Sequence, residues 1–248
     1  AASGSLVANV EASAPAREKY VSHKGEHWHR WIERRPMQML VLSLIVILIG
    51  GIVEIFPMIL INNNVPKIAS VHPYTPLELE GRDIYIREGC VSCHSQMVRP
   101  FRDETERYGE YSKSGEYIYD RPFLWGSKRT GPDLQRLGGK YNDLWHYNHM
   151  YDPETMSPGS IMPKYGWLLT NEIDTTYTVA KVKVLGMLNT PYPHNYDLRV
   201  ISDLRSQAKK IAANLRESGV EDENLENREI VALIAYLQRL GTDIKPKN

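Results

Sequence analysis

The sequence has no excess of either charge: 30 lysines and arginines stand against 30 aspartates and glutamates. With no basic stretch interleaved with aromatics, nothing in it calls for a nucleic-acid partner. It is nearly without cysteine, holding two in 248 residues, which excludes a disulfide framework and a zinc site built from two cysteine pairs. It shows no internal repeat and no convincing series of strands. The chain is long enough to bury a core of its own, so the expectation is a mainly helical protein with long connections.

One long hydrophobic run interrupts this otherwise polar chain. "MQMLVLSLIVILIGGIVEIFPMILI" (Met37 to Ile61) is almost wholly apolar and long enough to cross the roughly 30 Å of a bilayer core as a helix. The run continues through Phe56, Pro57 and Met58 with no small-residue cleavage pattern, so it reads as a retained anchor rather than a cleaved leader. Arg17, Lys19, Lys24, Arg30, Arg34 and Arg35 precede it, whereas only Lys67 follows closely. By the positive-inside rule the N-terminus is cytoplasmic and the remainder faces the other side, the periplasm in a bacterium. The expected organisation is a solvated cytoplasmic tail over 1–35, a transmembrane helix over 36–61, a connector over 62–75 and a domain over 76–248. Glu54, inside the span, is either a polar contact for a partner or a group near the headgroups. Gly50 and Gly51 would let another helix approach. The His23–Trp31 run "HKGEHWHRW" fits an interfacial basic-aromatic flank better than a metal site.

Beyond the connector, Thr75, Pro76 and Glu78 form the pattern of a capped helix start, and Gly89 a stop, which predicts a helix over 76–88. "NREIVALIAYLQRLG" carries Ile230, Leu233, Ile234, Leu237 and Leu240 at helical spacing and predicts a closing helix. Further helices are expected near 171–189 and 196–217, with a loop-rich stretch over 95–168.

The two cysteines sit together in "GCVSCH". A redox CxxC belongs at a strand-to-helix junction, which is missing here, and zinc lacks two of its four ligands. The reading that uses all three residues makes Cys90 and Cys93 thioether links to one covalently bound haem c and His94 its proximal iron ligand. Candidates for the sixth ligand are Met97, Met150, Met156, Met162, Met187, His146, His149 and His194. Met162 stands out because it opens "MPKY" in a Gly/Pro-rich loop, whereas Met187 reads as core. The other nitrogen of the proximal imidazole needs an acceptor, and the Pro132 carbonyl in "TGPDL" is one source, a simple turn being the other reading. Arg99, Arg102, Arg121, Arg129 and Arg136 are candidates for haem propionates or acidic neighbours, Arg129 foremost for its closeness to that loop. The aromatic, charged stretch over 101–125 suits a docking surface better than a haem-covering flap.

Taken together, Gly81, Tyr85, "CVSCH", "GPDL", the Met-Pro loop and "AYLQRLG" resemble the class I cytochrome c fold, which implies that the first and last helices cross, with Gly81 and Tyr85 against Ile234 and Leu237. The stretches "EGCVSCHSQMVRPFRDETERYGEYS", "YDRPFLWGSKRTGPDLQRLGGKY" and "AYLQRLGTDI" resemble more closely the membrane-anchored monohaem cytochrome c subunit (CcoO/FixO) of cbb3-type cytochrome c oxidases, from about Arg34 to Ile244. The tail is longer than that family's pattern. The resemblance implies an electron relay without catalysis of its own, bound in the bacterial inner membrane to a catalytic haem-copper subunit. It also implies a dihaem cytochrome c subunit and a cytochrome c donor as partners. A stand-alone anchored carrier and the cytochrome c subunit of a nitric oxide reductase are the alternatives.

Overall fold

A computed structural model describes residues 28–60 and 67–244. Residues 1–27 of the expected tail, with most of the His23–Trp31 run, and 61–66, with Ile61 and the start of the connector, lie outside the described residues. The chain divides into two units, Ala1–Asn64 and Val65–Asn248.

In the first unit, a short helix α1 (Trp28–Glu33) precedes α2 (Pro36–Leu60). Over the 25 residues of α2, a rise of about 1.5 Å per residue gives about 37 Å, enough to cross a membrane. It is the one described helix long and apolar enough to do so, and no residue of its hydrophobic window is buried within the chain. Such a surface needs lipid or another protein to cover it. Glu54 is exposed on this helix.

The second unit is helical, and its described residues form no strand, only an isolated bridge between Glu172 and Arg228. α3 (Pro76–Arg87) starts as expected: Thr75 Oγ1 accepts from the Glu78 N–H at 3.3 Å, and Glu78 Oε2 accepts from the Thr75 N–H at 2.8 Å. This reciprocal pairing satisfies two donors that a helix start leaves open. Within 95–168 lie α4 (Arg102–Tyr108), α5 (Asp143–Tyr151) and α6 (Pro153–Met156); α7 (Thr178–Met187), α8 (Val200–Glu217) and α9 (Glu229–Arg239) follow.

α7 begins seven residues later than the sequence pattern predicts. Asn171 and Ile173 pair through their backbones with Glu229 and Asn227, and Asp174 accepts the Thr176 N–H at 2.9 Å, so these residues spend their hydrogen bonds outside a helix. Met187, read as core, is 79% exposed: the buried positions of α7 are Thr178 and Val182, and five residues past Val182 falls on the opposite face. Part of the expected connector belongs to the domain, since Val71 is buried, the Arg239 guanidinium donates to the His72 carbonyl at 2.8 Å and the His72 N–H donates to Asp243.

The core is built where α3 crosses α9. Every position of the predicted α9 stripe is buried. A Cβ at Gly81 would stand 1.9 Å from the Ala232 carbonyl oxygen and 2.9 Å from Tyr236 Cβ, so only glycine permits this approach. The crossing is at Ala232 and Tyr236, one helical turn apart, rather than at Ile234 and Leu237; the Tyr85 ring meets Tyr236 at 5.4 Å with the planes tilted by 60°.

Candidate functional site

At the end of α3 the chain tightens into a 3-10 turn over Cys90–Ser92, and the His94 N–H closes onto the Cys90 carbonyl at 2.9 Å. The two cysteines are not joined in a disulfide; Cys90 is half-buried and Cys93 exposed. Burial, reinforced by the nearby Glu88 carboxylate, pushes the Cys90 thiol up to about 12, so it is protonated at neutral pH.

The strand of chain after the turn is laced to residues 129–135. The Gly131 N–H donates to the Cys93 carbonyl at 3.0 Å and the Leu134 N–H to the Ser95 carbonyl at 2.8 Å. Between these two bonds, His94 Nδ1 lies 2.9 Å from the Pro132 carbonyl oxygen; a carbonyl only accepts, so Nδ1 carries the proton and Nε2 is left as the nitrogen with a free lone pair. A Cβ at Gly131 would sit 2.3 Å from His94 Cε1, so the imidazole packs flush against a residue with no side chain. Burial lowers the pKa of His94, opposed by the Pro132 bond and the Asp133 charge, which keeps the ring neutral and able to ligate a metal.

Met162 is half-buried against the same core cluster that receives Cys90 and Val91. Its loop is clasped to α5 by the Tyr165 N–H on the Met150 carbonyl at 2.8 Å and by Lys164 on Asp152 at 2.5 Å. Of the other candidates, Met150 is buried in the core, Met156 half-buried and His194 exposed. Met97 is bound through its backbone, its N–H to Asp133 and its carbonyl to Arg129.

The arginines go to acidic neighbours and carbonyls. Arg99 and Arg129 pair with Glu104, Arg102 with Glu106, and Arg136 with Glu116, while Arg121 donates to the Leu188 carbonyl at 2.9 Å. The 101–125 stretch is divided. Tyr117 and Leu124 are buried, and the Tyr117 hydroxyl donates to the Gln96 carbonyl at 2.8 Å, covering the chain just beyond His94. Phe123 and Trp125 stack at 4.6 Å on the outside, more than a third exposed, with Phe101 and Tyr111.

Helix α5 was hidden in the sequence by its mixture of polar and aromatic residues. Asn142 caps it, accepting from the Trp145 N–H at 2.8 Å, and His146 and Met150, one turn apart, face inward. Trp145 stacks on His149 at 4.5 Å. Burial lowers the pKa of both histidines, His146 to about 4, and the neighbouring His94 disfavours a proton on His149 further. His149 Nδ1, His146 Nε2 and the Tyr85 hydroxyl are buried without a hydrogen-bond partner among the described residues.

These features fit a haem. Two cysteines directly precede a neutral imidazole fixed through its second nitrogen, a thioether loop is held against the same core, and His149, which interacts with His94, has a buried ring nitrogen without a partner among the described residues. The family model for the mono-heme subunit of cytochrome c oxidase, FixO, matches residues 29–244. No curated protein matches the chain.

Proposed function

The chain belongs to the FixO family of mono-haem cytochrome c oxidase subunits, a part of an oxidoreductase complex, and from that membership we propose that it is a one-electron relay of a cbb3-type oxidase. Cys90 and Cys93 would hold the haem by thioether links, and His94 Nε2 and the Met162 sulfur would ligate its iron. The bound haem supplies the ferric–ferrous couple.

The observation that carries this reading is the 2.9 Å contact of His94 Nδ1 with the Pro132 carbonyl. It fixes the tautomer and the ring orientation an iron ligand needs, and it makes Nε2 a better donor. The Met162 thioether favours the ferrous state and a higher potential than two imidazoles would give, which suits an acceptor of electrons from a cytochrome c or a dihaem subunit. The recipient is haem b of a catalytic haem-copper subunit. In this reading oxygen reduction belongs to that subunit, and this chain only carries electrons.

In this reading α2 anchors the chain in the bacterial inner membrane with the haem domain in the periplasm, where thiols are attached to haem rather than kept reduced. The exposed Phe101, Tyr111, Phe123 and Trp125 are the docking surface for the catalytic subunit. Purification in mild detergent tests the assignment: the protein is expected to travel with b-type haems. A preparation showing c-type absorbance alone would make it a solitary carrier.

A further inference from the structure

Asp133 and Arg129 flank the Pro132 carbonyl in sequence, and both reach past it to the chain on the other side of His94. The Asp133 side chain is fully buried. Its Oδ2 accepts from the Ser95 hydroxyl at 2.6 Å and from the Met97 N–H at 2.8 Å, and its Oδ1 accepts from the Gln135 N–H at 2.9 Å. Three donors fix it in place.

Arg129 completes the arrangement. Its Nε donates to Ser95 Oγ at 2.7 Å and its Nη2 to the Met97 carbonyl at 2.8 Å. The same guanidinium forms an ion pair with the buried Glu104 at 2.5 Å and stands 3.5 Å from Asp133 Oδ2. Ser95, the residue next to His94, therefore accepts from the cation and donates to the anion. The result is a charged relay, Arg129 to Ser95 to Asp133, wrapped around the segment that presents the imidazole.

We propose that Asp133 and Arg129 are positioning residues that act through Ser95 and Pro132 to set the reduction potential of the iron bound by His94, the two with opposite sign. The inference rests on the haem assignment above. A fixed anion favours the more positive ferric state and lowers the potential, and a fixed cation does the reverse. The Asp133 carboxylate is fully buried and the Arg129 guanidinium is 20% exposed, so salt screens the first little and the second in part. A relay that merely held the loop together would show no such sign dependence.

The test is a spectroelectrochemical titration of the c-type haem in the purified full-length complex. Asp133→Asn is expected to raise the midpoint potential and Arg129→Gln to lower it, each on the order of tenfold in the reduction equilibrium, about 59 mV for a one-electron couple. Arg129→Lys, which keeps the charge, stays near wild type. Shifts of the same sign, or none in variants that retain haem, overturn the proposal. If Asp133→Asn fails to mature, Arg129→Gln against Arg129→Lys decides, and equal potentials overturn it. Wild-type protein without covalent haem would instead refute the underlying assignment.

Discussion

His94 Nδ1 and the Pro132 carbonyl oxygen, 2.9 Å apart, join two segments almost forty residues apart in sequence, and the ring they fix has only glycine behind it. From this contact follow the local consequences of changing either side of the imidazole.

Gly131→Ala places a methyl group 2.3 Å from His94 Cε1, inside any permitted contact. The imidazole or the 129–135 loop must move, at a cost of about 1–3 kcal/mol typical of overpacking. The expected outcome is a lower thermal midpoint and a lower haem-to-protein ratio, read by calorimetry and by absorbance.

If Met162 supplies the second iron ligand, Met162→His is expected to lower the midpoint potential and abolish the sulfur-to-iron charge-transfer band at the red end of the spectrum. Should that band survive in Met162→Ala, the ligand is another methionine, with Met150 or Met156 next in line.

Acid stability tests the buried ion pair. Arg129, with help from Arg99, holds the Glu104 carboxyl down at about 2. Its folded value is below the unfolded one of about 4.3, so its contribution is complete above that pH and is lost as the pH falls from about 4.3 through about 2. Glu104→Gln is expected to lower stability at neutral pH and to flatten that part of the curve, followed by urea unfolding across the range. An unchanged acid limb would assign the loss to other groups.

Legibility in the sequence followed the type of signal. The capping box at Thr75 and Glu78, the apolar stripe of α9 and the long run of α2 are local patterns, and each appears where the spacing places it. α5 was invisible because its inward residues are His146 and Met150 rather than a regular apolar row. Met187 is exposed rather than core because its helix starts only after Asp174 has turned the chain. The crossing point at Ala232 and Tyr236 depends on the rotation of α3 about its axis, which no single-helix pattern encodes. The Arg129–Ser95–Asp133 relay was beyond reach for the same reason, since its members meet only when two distant loops are laced together.

The central claim is that Cys90 and Cys93 are covalently joined to one haem whose iron His94 ligates. Intact-mass spectrometry of the mature chain, with thiol alkylation in parallel, tests it most directly. The expected result is the polypeptide plus one haem with neither thiol available. A bare polypeptide mass with two alkylated cysteines would contradict it.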